Sequence, residues 1–373
     1  MEDLLIKTID ELSSIMIDDI KTIVRINSVE SQPLPEAPFG QGVKEALNQT
    51  LNIAQRLGFE TTNLDNYIGY CQYGTGDDYV CAIGHLDVVE AGKGWKHPPF
   101  SGYEDNGYIY SRGILDNKGP IIACLYALKA IEQLNIQIKH PIRIIFGCDE
   151  ESGFEDLKYY LSKEKSPIMG FTPDCKYPVV YGERGRALIE IRESDLDKFY
   201  EMVNTYFMNQ KNNGETLGLD YHNKEFGVSE IRNFQLKHEN NQHIFSFALS
   251  YPAGMNIQES IEKIKEKIGM EVELMSHFYP VQFEKDCFMV KQMQKAYEKI
   301  THLDGTPVTT TGGTYAKLMP HIVPFGPSFP GQKEIGHLPN EWMKIEDIIK
   351  NAKIYALALY YLSKGEESYG KNN

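Results

Sequence analysis

The sequence predicts an α/β fold, a main domain with a mostly parallel sheet flanked by helices, into which a small α+β domain is inserted. Three observations carry this. Apolar runs such as "YVCAIGHLDVV", "PIRIIFGC" and "YPVVYGE" alternate with segments of helical spacing, "KEALNQTLNIAQRLGF" and "GPIIACLYALKAIEQL". Strands alternating with helices build parallel sheets covered on their faces. The texture then changes near residue 186 and returns near 286, and a length of 373 residues fits two domains better than one. The main domain is therefore expected to comprise residues 1–185 and 286–373, and the inserted domain residues 186–285.

Within the insertion, "RALIEI" reads as a strand and "SDLDKFYEMVNTYFM" as a helix. "SEIRNFQLKH" and "QHIFSFALSYP" read as a hairpin around the turn "ENN". In "NIQESIEKIKEKIG", Asn256 is a natural N-cap, Ile257, Ile261, Ile264 and Ile268 share one face, and Gly269 marks the stop. The chain closes with "MKIEDIIKNAKIYALALYYLSKG", a long helix with an apolar face, and a tail "ESYGKNN" expected to fray.

Composition narrows the function classes. The formal charge of −14 repels phosphate, which argues against nucleic acid or an anionic membrane as partner. No apolar run approaches the ~20 residues of a membrane span, and the start "MEDLLIKTIDELSS" is acidic and amphipathic, unlike a signal peptide. The six cysteines (Cys71, Cys81, Cys124, Cys148, Cys175, Cys287) show no C-x-x-C pair. This usage fits packed, reduced thiols in a cytoplasmic protein rather than a disulfide framework or a cysteine-ligated zinc site.

The chemistry is concentrated at strand ends. "GHLD" closes an apolar run with His85 and Asp87, and residues two apart on a strand share a face. On its own the pair reads first as a histidine hydrogen-bonded to a carboxylate. Its company changes that. Asp116 stands in "RGILDNKGP" ahead of a helix, Asp149, Glu150 and Glu151 end another apolar strand, Asp174 precedes a third, and "GHLPNE" adds His337. Adjacent carboxylates resist burial without a cation. Strand ends of an open α/β sheet are where ligands bind. Histidine and carboxylate donors without thiolate suit zinc, manganese or cobalt.

"GHLDVVEAGKGWKHPPF", "YSRGILDNKGP", "DEESG", "PDCKYPVVYGERG", "GGTYAK" and "GHLPNE" occur in the order and contexts of the aminoacylase, desuccinylase and dipeptidase family of co-catalytic metallohydrolases, and the chain resembles its bacterial PepV-like dipeptidases most. The resemblance implies a zinc-peptidase-like main domain holding two divalent metal ions, zinc foremost. His85 and Asp174 would complete one site, Glu151 and His337 the other, and Asp116 would bridge them through a cis Asp116–Asn117 peptide. Asp87 would orient His85, and Glu150 would be the general base. The inserted domain would act as a lid through which two chains pair.

"TGGTYAK" resembles the family's substrate loop, with Gly312, Gly313, Thr314 and Lys317 facing the substrate; relatives carry arginine where Lys317 stands. Two family features are missing. No G-K-x-x-H-x-x-x-P motif follows "GERGRALIEI", and "LSYP", with Ser250, replaces "RYP". His222, His238 or His243 and Arg184, Arg186 or Arg232 are candidate substitutes. The functions implied are a dipeptidase, an N-acyl amino acid deacylase or desuccinylase, or a metal-binding paralogue with little turnover.

Overall fold

The structure is a computed structural model and describes residues 1–332 and 335–365. The tail "ESYGKNN" lies outside the described residues. The chain divides into two compact units, Met1–Val180 with Glu284–Pro307 and Thr314–Asn373, and Tyr181–Phe283 with Val308–Gly313.

The first unit is built on a six-stranded sheet in the order Glu60–Leu64, Ile68–Tyr73, Ile142–Gly147, Val80–His85, Met169–Thr172 and Ile322–Pro324. The first three strands pair antiparallel, and from Ile142–Gly147 onward every pair is parallel. Val80–His85 and Ile142–Gly147 are buried throughout, so both read as largely apolar runs rather than alternating ones, with His85 ending the first and Arg143 standing within the second. Helices Lys118–Gln133 and Ile345–Lys364 pack on each other and on the sheet, and Glu2–Val24 packs on both helices. Because the central strands are parallel, they end on the same side: His85 lies level with Gly147, and Asp174 follows two residues after Thr172. A second, three-stranded sheet pairs Trp342–Lys344 with Tyr108–Tyr110, fixing the chain just before Trp342 against the chain just after Tyr110.

The second unit is an antiparallel sheet in the order Glu230–Glu239, Gln242–Tyr251, Gly185–Glu193 and Glu271–Phe278. Helices Leu196–Tyr206 and Ile257–Ile268 cover it over a core that includes Ile189, Ile191, Phe247, Leu249, Ile261 and Ile264. Asn240 and Asn241 both adopt positive φ, 51° and 59°, as a two-residue hairpin turn of matching twist demands. The Asn256 side chain accepts from Gln258 N (3.1 Å) and Glu259 N (3.3 Å), capping the helix that Gly269 ends at φ 66°. This unit also takes in Val308–Gly313, since Val308–Thr310 forms a small sheet with Val180–Glu183 and Val281–Gln282. No helix among the described residues is long and apolar enough to cross a membrane, and no disulfide joins the described cysteines.

Candidate metal centre

Five of the residues singled out in the sequence converge where the parallel strands of the first unit end. His85 is fully buried, and its Nδ1 lies 2.9 Å from the Asp87 carbonyl oxygen. A carbonyl only accepts, so Nδ1 carries the proton and Nε2 faces inward with its lone pair or a second proton. Nε2 lies 3.1 Å from Asp116 Oδ1 and 3.7 Å from Asp174 Oδ2. The other Asp116 oxygen, Oδ2, is 3.1 Å from His337 Nε2, which is 2.8 Å from Glu151 Oε1. His85, Asp116 and Asp174 thus offer ligand atoms all within 4.8 Å of one another, as do Asp116, Glu151 and His337. Asp116 belongs to both groups and turns one oxygen to each.

The chain secures this arrangement locally. The Asp116–Asn117 peptide is cis. Asn117, fully buried, donates through Nδ2 to the Pro173 carbonyl (2.6 Å) and accepts from His85 N (3.4 Å), tying together the segments that carry Asp116, His85 and Asp174. The glycine in "GHLD" is required for this: a Cβ on Gly84 would lie 2.2 Å from Asn117 Oδ1. Strand Val80–His85 ends at the histidine, so Asp87 is not its same-face neighbour on a strand. Past the strand end, the Asp87 backbone carbonyl accepts the hydrogen bond from His85 Nδ1 while carboxylate Oδ1 stands 3.4 Å from the same nitrogen. The other carboxylate oxygen accepts from Glu151 N at 3.0 Å, so Asp87 also places the second histidine's partner.

Of the acidic run, Asp149 turns away and caps the following helix by accepting from Glu155 N (2.8 Å), while half-buried Glu150 belongs to neither ligand group. Burial, then the charge of Asp174 and those of Glu151 and Asp116, push Glu150 well above the usual carboxylate range, with His85 opposing. Hydrogen bonds to Asp116 and Glu151 raise His337 to about 10. Burial would lower His85, but Asp116, Asp87 and Asp174 raise it well above its ordinary value. Burial likewise opposes ionisation of Asp116, and the two histidines more than reverse it. Histidine protons here balance a concentration of carboxylates, which divalent cations would do with more charge. The all nitrogen and oxygen donor set, with one histidine nitrogen fixed as the donor to Asp87, fits two such ions sharing Asp116.

Among the expected substrate-loop residues, Gly312 and Gly313 fall in the second unit and Thr314 and Lys317 in the first. Among the described residues nothing crowds position 312, where a Cβ would stand 3.8 Å from Thr310 Oγ1. Thr314 is buried, and its hydroxyl accepts from Ala316 N at 3.2 Å to cap the turn Tyr315–Lys317. In the second unit, His238 and His243 face each other across the hairpin with Nδ1 atoms 3.2 Å apart, and Arg184 Nε donates to the Phe226 carbonyl (2.7 Å). His222 pairs in a short ladder with Val228, and Arg186 and Arg232 lie on the strands flanking Ser250 and Ala248.

Sequence reading named Asn117 only for its cis peptide and missed three further supporting residues, Asp156, Tyr315 and Glu341. Asp156 accepts from Cys148 N (2.6 Å), Asp149 N (3.1 Å) and the Tyr315 hydroxyl, all in the interior. Asn117, Tyr315 and Glu341 each sat inside a quoted motif, which was the available signal; Asp156 had none.

The description "Peptidase family M20/M25/M40" matches residues 81–361. "Putative dipeptidase YtjP" of Bacillus subtilis (strain 168) is 28% identical, covering 94% of this chain and 97% of that protein. That alignment runs over 450 positions, more than the 373 residues here, so YtjP has residues with no counterpart in this chain. Human carnosine dipeptidase 1 superposes with a TM-score of 0.76 at 16% identity, covering 97% of this chain and 98% of that one. The YXEP protein of Bacillus subtilis, a dinuclear metal-binding peptidase, superposes at 0.64 and 14%, covering 95% and 99%. With its fold shared by such peptidases and three quarters of its length matched, the chain belongs to peptidase family M20/M25/M40.

Proposed function

We propose that the protein is a dipeptidase that hydrolyses the peptide bond of a small substrate with two divalent metal ions, zinc foremost and manganese or cobalt as alternatives. The observation that carries this is the division of the two Asp116 oxygens between two histidine–carboxylate groups. In this reading His85, Asp116 and Asp174 hold one ion, and Asp116, Glu151 and His337 the other. When bound, the ions lower the pKa of water and polarise the scissile carbonyl.

Glu150 accepts the proton that water loses as its oxygen attacks the carbonyl carbon. It then delivers that proton to the amine nitrogen as the carbon–nitrogen bond breaks. Its place beside both ligand groups but in neither supports this role. Asp87 holds His85 and Glu151 in register. Gly312, Gly313 and Thr314 are proposed to approach the substrate, and Lys317 to meet its carboxylate as a point charge rather than a bidentate fork; the open space around Gly312 is consistent with that. The second unit is proposed as a lid through which two chains pair, and the cysteine usage supports a cytoplasmic setting.

A second reading, a metal-binding paralogue with little turnover, is favoured by Ser250 in "LSYP" and by the missing glycine and histidine motif. The test is a panel of dipeptides, N-acetyl and N-succinyl amino acids offered to zinc- or manganese-loaded protein. Cleavage of dipeptides alone selects the dipeptidase, and cleavage of acyl amino acids selects a deacylase or desuccinylase. No turnover of any of them, unchanged in Glu150→Ala, selects the paralogue.

A further inference from the structure

Glu341 has no accessible surface and no place in either ligand group. Its carboxylate nevertheless meets four donors, all from one loop. Oε2 accepts from Arg112 Nη1 (2.7 Å) and Gly113 N (3.1 Å), and Oε1 from Leu115 N (2.8 Å) and Asp116 N (3.2 Å). The last of these is the backbone of the residue shared by both groups. The backbone of Glu341 is held as well, because its carbonyl accepts from Ser111 N at 3.1 Å. Next to it, Asn340 accepts from Lys96 N (2.7 Å) and donates to the Gly94 carbonyl (3.1 Å).

These contacts anchor the far end of a short arm whose other end carries His337. Four residues of chain reach at most ~14 Å, so pinning Glu341 limits where the imidazole can lie. His337 needs that limit, being 52% exposed in its side chain where His85 is fully buried. A buried carboxylate is costly unless every oxygen is partnered, and here the partners are the loop that delivers Asp116.

We propose that Glu341 is a positioning residue for the metal centre, one carboxylate that sets Asp116 through its backbone and His337 through the arm. The inference rests on the metal reading above. The test uses the full chain, stripped of metal and titrated with zinc against a chromophoric chelator, with thermal melts recorded with and without zinc. Glu341→Gln keeps the shape but offers one acceptor oxygen in place of two, so one pair of N–H donors faces an amide NH₂. Zinc binding is expected to weaken by ~10–100-fold, the effect typical of lost partners behind a ligand, and the zinc-induced rise in Tm to shrink accordingly. A purely structural role would lower the Tm of the metal-free protein and leave both zinc readouts as in wild type, overturning the proposal. Glu341→Asp, which keeps the charge beside Arg112 but cannot span both donor pairs, is expected to weaken zinc binding in the same direction. Loss of soluble protein in both variants also overturns it, since the residue then serves the fold at large. Wild-type protein that binds no zinc overturns the metal reading and this inference together.

Discussion

Replacing Glu150 by glutamine removes a charge and a proton acceptor while changing shape little. Bound divalent ions would add positive charge beside Asp174, Glu151 and Asp116, which favours the ionised form of Glu150. In the metal-free protein burial first, and then the charges of Asp174, Glu151 and Asp116, raise Glu150; the ions offset those charges and so favour a carboxylate that can accept a proton. General-base catalysis contributes about 10²–10⁴-fold, or about 2.7–5.5 kcal/mol at 1.36 kcal/mol per decade. The kcat of Glu150→Gln on the best dipeptide is expected to fall by that factor with KM little changed. Because neither ligand group includes Glu150, bound metal should stay at the wild-type level, whereas His85→Ala and Asp116→Ala should lose metal. The metal-free variant should melt no lower than wild type, having lost a repelled carboxylate. A kcat within about three-fold of wild type, or a halved metal content, would refute the assignment.

Tyr315→Phe removes the hydroxyl that donates to buried Asp156; a hydrogen bond to a charged group contributes ~1.5–3 kcal/mol, and denaturant unfolding of the metal-free protein should show a loss of that order. An unchanged midpoint would mean that the pair contributes nothing. Metal affinity should depend on pH, since His337 at about 10 and the raised His85 are protonated near neutrality in the metal-free protein. Zinc competes with those protons, so affinity should rise from pH 6 to 8 with proton release; calorimetry in buffers of different ionisation heat measures it, and no release would contradict the histidine assignments. In the second unit, Asn256→Ala strips the cap from Ile257–Ile268 and should cost about 1 kcal/mol, read as earlier loss of amide-exchange protection in that helix. Equal protection in both proteins would count against the cap.

Much of the fold was readable along the chain. The hairpin around Asn240–Asn241 and the capped helix after Asn256 rest on interactions within a few residues, where local chemistry decides. The candidate ligands drew attention for a related reason, since carboxylates at the ends of apolar strands are unusual wherever they occur, while their division between two ions came from the family resemblance. Less was readable where partners are distant. Asp156 meets Tyr315 across 159 positions, and Glu341 meets Arg112 across 229. Val308–Thr310 joins the second unit by pairing with a strand more than a hundred residues earlier.

Which residue types stand at each strand end is written in the sequence, and with it the expectation of a histidine and carboxylate site able to hold divalent cations. How those residues share the work depends on the folded chain. Parallel strands bring His85, Glu151 and Asp174 to one edge; Asp116 joins them from the loop ahead of Lys118–Gln133, where Asn117 ties it to the His85 and Asp174 segments and its backbone N–H donates to Glu341. The reason is geometric: a carboxylate's chemistry belongs to its residue, whereas the direction of its oxygens is set by backbone and neighbours that meet only after the chain has folded.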